Sequence, residues 1–507
     1  MKINIDDQNT YGKINPNLHG QFIEFLGNCI DEGIWVGRDS KIPNIDGMRK
    51  GTIDALKKLA PPVVRWPGGC YADTYHWQDG IGPQKDRPVS FNENFGTYQK
   101  DRHSFGTDEF MEFCELIGSQ PWFNINMLSG SVQEMKDWME YCNRDEKTSL
   151  SDQRKDNGHA DPYAVKYWGI GNEVWGGGGS MTPEMYADKY REYASAMPTF
   201  QKSIFDKNPI YKIASGPDGN KSIERVEWTK DFLKAFSRYR QPGINAMDLH
   251  FYNWNIEHES DTPTDFGEDD WYRVINGTQE LDQIINQQAD LIKEGLQNIP
   301  QPESSLDHRL DRIDLVVGEW GNWHRTAFTA KPALKQEVTM RDAISTALML
   351  DILQKNSDKV SMACVAQTIN VLNSLILTEG DQTILTPNYD VFMMYKAHRG
   401  NSALRIQTNQ DQKNVYTFAS KKDGEIILDV INANLNDQVK LTVELNKEIK
   451  NVTKDFLKSN HPTDFNSSDK PDQIRMQQTE VKDFSKGEIA LELSPASVNV
   501  FHIKTVN

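Results

Sequence analysis

Glu173 and Glu319 are the two residues on which chemistry can be built. Glu173 closes the stretch Tyr167-Trp168-Gly169-Ile170-Gly171-Asn172-Glu173, and Glu319 closes Asp314-Leu315-Val316-Val317-Gly318-Glu319. In both, apolar residues run up to a glycine and polar groups follow, the pattern of a buried strand that ends in a polar site. A lone glutamate in such a place is most often an exposed loop carboxylate. Two of them at the ends of two buried strands fit acid–base plus nucleophilic work on a glycosidic bond. Other strand ends supply matching groups: Glu24, Arg65, His250, Tyr252, Trp320 and Gln367, with Asn172 beside Glu173. The set holds carboxylates, amides, an imidazole and aromatics. It contains no HExxH, no His and Asp at metal-ligand spacing and no Gly-x-Ser-x-Gly elbow. No metal and no cofactor is expected.

The elements that must position these residues alternate. Strand patterns fall at 17–25, 62–69, 121–127, 166–173, 211–217, 246–252, 314–320 and 360–367. Helical patterns lie between them, at 47–58, 107–118, 131–142, 183–196, 226–238, 277–296 and 340–354. This alternation predicts an α/β chain folded as a (β/α)8 TIM barrel with insertions. In that fold the C-terminal strand ends share one rim, so residues far apart in sequence meet there. The alternative is a doubly wound open sheet. It would want a phosphate-binding glycine loop after the first strand, and Gly20 to Gly27 does not supply one. Gly176-Gly177-Gly178-Gly179 follows Glu173 without a Lys-Ser/Thr ending and reads as a flexible loop beside the site.

Beyond about residue 385 short strands separated by turns take over, at 415–418, 425–431, 439–443, 489–493 and 497–503. They predict a C-terminal antiparallel β-sandwich. The polar stretch 451–478 reads as a long loop. The expected limits are 15–385 for the catalytic barrel and 386–507 for the sandwich.

Composition narrows the function further. Of 507 residues, 37% are hydrophobic and 25% charged, as in a globular chain. The net charge of -17 argues against nucleic acid, whose phosphates it would repel, and suits a neutral substrate. The five cysteines form no CxxC pair, so neither a zinc site nor a disulfide framework is indicated. No stretch has the length of a membrane span, so no membrane partner is expected. Met1-Lys2-Ile3-Asn4-Ile5-Asp6 is no signal peptide, which predicts a cytoplasmic protein, or a periplasmic or secreted one if a leader has been removed.

With these segments in view, the chain resembles the glycoside hydrolase family 51 α-L-arabinofuranosidases. The resemblance rests on Gly20-Gln21-Phe22-Ile23-Glu24-Phe25-Leu26-Gly27, on Arg65-Trp66-Pro67-Gly68-Gly69-Cys70 with Tyr75 to Pro83, on Gly171-Asn172-Glu173, His250-Phe251-Tyr252 and Gly318-Glu319-Trp320, and on Ala366 to Leu372. The segments occur in family order across the barrel, and Thr386-Pro387 to Lys396 matches the entry to the family's sandwich. The resemblance implies a retaining hydrolase that releases terminal α-L-arabinofuranosyl units from oligo- or polysaccharides. Glu173 then matches the general acid/base and Glu319 the nucleophile. Asn172 matches the amide that holds the sugar 2-hydroxyl. Glu24 and Gln367 resemble ligands of the sugar hydroxyls, and Cys70 lines the same pocket. His250 and Tyr252 resemble the pair beside the nucleophile, where the phenol bonds Glu319. Arg65 reads as an ion-pair partner that orients the carboxylates, and Trp175 and Trp254 as platforms for the leaving group. Residues 1–14 would join the sandwich. A homo-oligomer, often a hexamer, is common in the family.

The chain departs from the family pattern at three places. Gly318 stands where Asp is frequent before the nucleophile, which removes a neighbouring charge. His324 stands where Tyr is usual, and the Gly176–Ser180 loop differs. These differences bear on the leaving-group side. Competing functions are a β-xylosidase or endo-glucanase of the same barrel clan, and a barrel that binds sugar or protein without turnover.

Overall fold

A computed structural model of the chain describes residues 1–203, 206–239, 241–257, 259, 262–300, 310–409 and 412–506. Eight strands close into a barrel in sequential order: Gly20–Phe22, Val63–Trp66, Gln120–Ile125, Tyr167–Ile170, Tyr211–Asp218, Ala246–Asn255, Asp314–His324 and Val360–Val365. The expected TIM barrel is therefore present. Its pairs are parallel, with Phe22 opposite Arg65, Trp66 opposite Phe123, Ile125 opposite Ile170 and Ser215 opposite Asp248. Parallel strands covered on both faces read as near-continuous apolar runs, and Val63–Trp66 and Tyr167–Ile170 are buried throughout. Several strands are shorter than their sequence patterns, so Glu24, Gly68, Gly69, Asn172 and Glu173 lie just past the strand ends, on the connecting turns.

Local sequence sets the helices between the strands. Ser131 caps Val132–Asn143 by accepting from Glu134 N at 3.1 Å, and Thr182 caps Pro183–Ala196, whose first residue needs no N–H partner. Gly118, at φ 73°, ends Thr107–Ile117. The helix expected at 277–296 is present as Glu280–Gln297, and a further helix, Glu268–Gly277, precedes it. No helix among the described residues is long and apolar enough to cross a membrane.

The chain divides into two compact units: Gly20–Phe251 with Ile284–Trp320, and Met1–His19 with Tyr252–Gln283 and Gly321–Asn507. In the first, much of the aromatic supply is core. Trp66 stacks on Phe110 at 4.9 Å and meets Phe123 at 5.5 Å, and Phe123 meets Trp168 at 5.3 Å.

The second unit holds a nine-stranded sheet in the order Gln477–Glu480, Ile449–Leu457, Ser497–Thr505, Glu425–Asn432, Val415–Lys422, Ser402–Thr408, Lys2–Lys13, Val439–Leu445, Glu488–Leu493. The N-terminal strand lies inside it, antiparallel to Ser402–Thr408 and parallel to Val439–Leu445, so the sheet is mostly rather than wholly antiparallel. Ile3, Leu404, Leu428, Val443, Val452 and Phe501 share one core. The stretch 451–478 is not one loop: Ile449–Leu457 is a strand with Val452 opposite Ile503. A register shift between Ile449 and Asn451 breaks its period of two, which hid it in the sequence.

One constellation in this unit imitates catalysis. His398 Nδ1 lies 2.8 Å from Ser420 Oγ, and its Nε2 lies 3.0 Å from Asp429 Oδ1. All three side chains are fully buried, and burial first pushes the imidazole down to about 3. With no access for a substrate, the trio is a buried polar cluster of the core.

Candidate active site

Five barrel strands of the first unit deliver polar side chains to one place. Arg65, on the second strand, donates from Nη1 to Glu319 Oε1 at 2.6 Å and from Nη2 to Asn172 Oδ1 at 2.6 Å. Its guanidinium lies over the Phe22 ring at 4.5 Å and the Trp122 ring at 5.1 Å. The charge is thus buried among apolar rings and committed to two acceptors, the geometry in which arginine fixes partners rather than sampling solvent. This is the ion-pair role expected of Arg65.

His250, on the sixth strand, bridges the carboxylates. Its Nδ1 is 2.8 Å from Glu173 Oε1 and 3.6 Å from Glu319 Oε1, while Nε2 is 3.1 Å from Asp248 Oδ2. One oxygen each of Glu173 and Glu319 and a ring nitrogen of His250 all lie within 4.8 Å of one another. Such a trio could also ligate a cation, but the Arg65 charge already sits on Glu319. Glu173 keeps 18% exposure of its side chain, against 7% each for His250 and Glu319. The more open carboxyl is the one able to meet a leaving group and water.

The electrostatics separate these groups. Burial raises the Glu173 pKa above the ordinary carboxyl value, and the Glu319 charge adds to it against the His250 hydrogen bond. Burial opposes charge on His250, but Glu319, Asp248 and the hydrogen bond to Glu173 outweigh it and hold the imidazole well above its usual range. Cys70 Sγ lies 3.9 Å from Glu173 Oε2. Burial first, then the Glu173, Glu24 and Glu319 charges, push this thiol far up, so it is no thiolate nucleophile.

Backbone shape makes the approach possible. A Cβ at Gly68 would lie 2.6 Å from Glu24 Cγ, and one at Gly69 would lie 2.7 Å from Glu319 Oε1. Glu24 Oε1 accepts from Gly69 N and Tyr71 N, each at 3.0 Å, and from Asn94 Nδ2 at 3.3 Å. Glu173 itself sits at φ 39°, a left-handed conformation costly for a residue with a side chain. Its carbonyl accepts Gly176 N at 2.7 Å and Gly178 N at 3.2 Å, which holds that conformation. The glycine run is therefore a hydrogen-bonded turn packed on Glu173 rather than a loose loop. A Cβ at Gly178 would meet Asn172 O at 1.9 Å.

The structure corrects two readings of the departures from the family pattern. Gly318 leaves no gap in the charge distribution, because the Asp248 carboxylate takes the space: Gly318 N donates to Asp248 Oδ1 at 2.6 Å, and a Cβ there would lie 2.4 Å from it. His324, in the second unit, is 0% exposed and bonds Asp342 Oδ1 at 3.0 Å, so it does not face a leaving group. Tyr252 and Gln367 also belong to the second unit. Tyr252 meets Trp323 edge-on at 5.1 Å, Trp254 stacks on Trp323 at 6.1 Å with 41% exposure, and Gln367 is buried. Two polar residues of the site escaped the sequence reading. Asp248 had a signal, since it stands two residues before His250 on the same strand face. Asp73, buried in the turn Cys70–Thr74, had none.

A parallel barrel with a carboxyl pair at its C-terminal strand ends defines the class: a glycosidase of the barrel type. Comparison with known proteins narrows it. The model of the α-L-arabinofuranosidase 1 domain matches residues 55–273, and that of the α-L-arabinofuranosidase C-terminal domain matches 318–497. The chain is 36% identical to an intracellular exo-α-L-arabinofuranosidase of Bacteroides ovatus, over 96% of this chain and 92% of that one. The crystal structure of the GH51 arabinofuranosidase from Xanthomonas axonopodis pv. citri superposes with a TM-score of 0.87 at 30% identity, covering 99% of each chain. The arabinose complex of the α-L-arabinofuranosidase from Thermotoga maritima gives 0.84 at 28% identity, again over 99% of each. The chain belongs to the α-L-arabinofuranosidases of glycoside hydrolase family 51.

Proposed function

We propose that this arabinofuranosidase is exo-acting and retaining, and that it removes terminal non-reducing α-L-arabinofuranosyl units from arabinose-containing oligo- or polysaccharides by double displacement. The observation that carries this reading is the placement of Glu173 and Glu319 oxygens within 4.8 Å of each other. Retaining enzymes keep their carboxyls roughly 5–5.5 Å apart, and inverting ones leave room for a water between them. Glu319, with the Arg65 cation on Oε1, attacks the anomeric carbon. Glu173, whose raised pKa keeps the proton, delivers it to the departing oxygen. Once the glycosyl–enzyme ester forms, the Glu319 charge is gone. The repulsion that helped to raise Glu173 goes with it, so Glu173 can take a proton from the incoming water. Asn172 holds the sugar 2-hydroxyl, and Glu24, Cys70, His250, Tyr252 and Gln367 bind the remaining sugar or align the carboxylates. Family resemblance supports these assignments, and the hydrogen bonds of Glu24, Asn172 and His250 support theirs. We assign the catalytic domain to 15–385 and the accessory sheet domain to 386–507, with strand 1–14.

Exo action and a cytoplasmic location are supported by the likeness to a relative named as an intracellular exo-enzyme. Assembly as a homo-oligomer, with a hexamer as the family's common form, is checked by sedimentation at working concentration. The substrate reading is tested by 4-nitrophenol release from the α-L-arabinofuranoside beside the β-D-xylopyranoside and β-D-glucopyranoside. A clear arabinofuranoside preference is expected, and an equal or greater rate on either pyranoside overturns the sugar assignment.

A further inference from the structure

The turn after the second barrel strand carries a carboxyl that the double displacement does not use. Asp73 is 2% exposed, and its backbone carbonyl accepts the Ser129 hydroxyl at 3.1 Å, which fixes the turn. Neither oxygen of its side chain has a closed hydrogen bond, a costly state for a buried carboxyl. Asn172 presents the complementary deficit. Arg65 donates to its Oδ1 at 2.6 Å, which settles which end of the amide is oxygen, and its Nδ2 is buried without a closed hydrogen bond. The Asn172 side chain faces the Asp73 carboxyl. A donor without an acceptor thus lies beside an acceptor without a donor, and bonds of this kind at active sites often tighten only when substrate is bound. Burial first, then Glu173 and Glu24, push Asp73 up to about 8 against the pull of Arg65 and Asn172. Near neutral pH it is mostly the uncharged acid, whose carbonyl still accepts.

We propose that Asp73 is a positioning residue for the glycosidase reaction: it accepts one Asn172 Nδ2 hydrogen and, with Arg65 on Oδ1, clamps the amide so that the second Nδ2 hydrogen is aimed at the sugar 2-oxygen. The clamp rests on the reading of Asn172 as the 2-hydroxyl ligand. Without it the amide turns about its terminal bond, and the contact that should tighten in the transition state is blurred.

The test is a kinetic comparison of the wild type, Asp73→Ala, Asp73→Asn and Asn172→Ala on 4-nitrophenyl α-L-arabinofuranoside and its 2-deoxy analogue. Asp73→Ala is expected to lower kcat by about 10–100-fold on the full substrate with little change in KM, the scale of a misplaced catalytic contact. On the 2-deoxy substrate that loss is expected to vanish, because there is no 2-hydroxyl to align. Asp73→Asn, which keeps a carbonyl acceptor, is expected to retain most of kcat. If the alanine variant does not fold, Asp73→Leu, similar in shape and without an acceptor, replaces it. An equal loss on both substrates, or no loss on either, overturns the clamp. Selective loss in Asn172→Ala with unselective loss in Asp73→Ala overturns the clamp alone. Unselective loss in Asn172→Ala overturns the 2-hydroxyl reading itself.

Discussion

Glu173 and Glu319 have the same chemistry and different surroundings. Glu319 is enclosed and paired with Arg65 at 2.6 Å, whereas Glu173 is more exposed and hydrogen-bonded to His250 at 2.8 Å. The proposed division of labour between nucleophile and general acid rests on that contrast, and it predicts two outcomes. Glu319→Ala should lose at least about 10³-fold in turnover while still binding sugar, as expected when a covalent nucleophile is removed. Hydrolysis at the wild-type rate by that variant contradicts the role. The second concerns pH. The general acid must be protonated, and the Glu173 pKa is raised, so kcat/KM should hold above the ordinary carboxyl range and fall only as pH rises through the raised value. Replacing His250 by Asn, which removes a hydrogen bond that favours the Glu173 carboxylate and a nearby cation, should move this basic limb to higher pH. A shift to lower pH in the pH–rate profile contradicts the electrostatic account.

At the scale of elements, the turns hold the site as firmly as the strands do. Gly68 and Gly69 let a backbone pass within contact of Glu24 and Glu319, and the Gly176–Gly179 turn fixes Glu173 at φ 39°. Gly69→Ala places a Cβ 2.7 Å from Glu319 Oε1 and must push the carboxylate away. We expect kcat to drop by about 10–100-fold with the midpoint of thermal unfolding nearly unchanged. Unaltered kcat contradicts the requirement for glycine. Strand identity was legible because parallel barrel strands are continuous apolar runs, and the candidate site was legible wherever a polar residue ended such a run, as at Glu24, Asn172, Glu173, His250 and Glu319, several of which the fold brings into hydrogen-bonded contact. What stayed hidden has physical reasons. Asp73 is buried by a turn whose path nothing in Cys70-Tyr71-Ala72-Asp73-Thr74 announces. His324 is polar and looks like a loop residue, yet its bond to Asp342 lets it be fully buried. Gly318 looked like a lost charge, because the carboxylate that fills its place comes from Asp248 on another strand.

Over the whole molecule, the chain threads its two compact units more than once, crossing between them near residues 19, 251, 283 and 320. The N-terminal strand shows the consequence. Lys2–Lys13 occupies an interior place in the nine-stranded sheet, between strands that lie some 400 residues later in the sequence. Ile3 is fully buried in that sheet's core. Ile3→Asp buries an unpaired charge and should cost about 3–5 kcal/mol in denaturant unfolding of the sheet unit. Removing the strand altogether should expose two unpaired edges and cause aggregation. A soluble variant of unchanged stability contradicts the interior placement. The same threading limits reading by domain: the contiguous segments 15–385 and 386–507 follow the sequence patterns, whereas compactness groups Tyr252–Gln283 and all of Gly321–Asn507, including 321–385, with the sheet.

A covalent glycosyl–enzyme on Glu319 leaves its mark in the stereochemistry of transfer to an added alcohol. Hydrolysis of 4-nitrophenyl α-L-arabinofuranoside is run with added methanol, and the first-formed methyl glycoside, which does not mutarotate, is read by proton NMR. Methyl α-L-arabinofuranoside, the product of two inversions, is expected. Methyl β-L-arabinofuranoside as the first product would mean a single displacement and contradict the covalent glycosyl–enzyme.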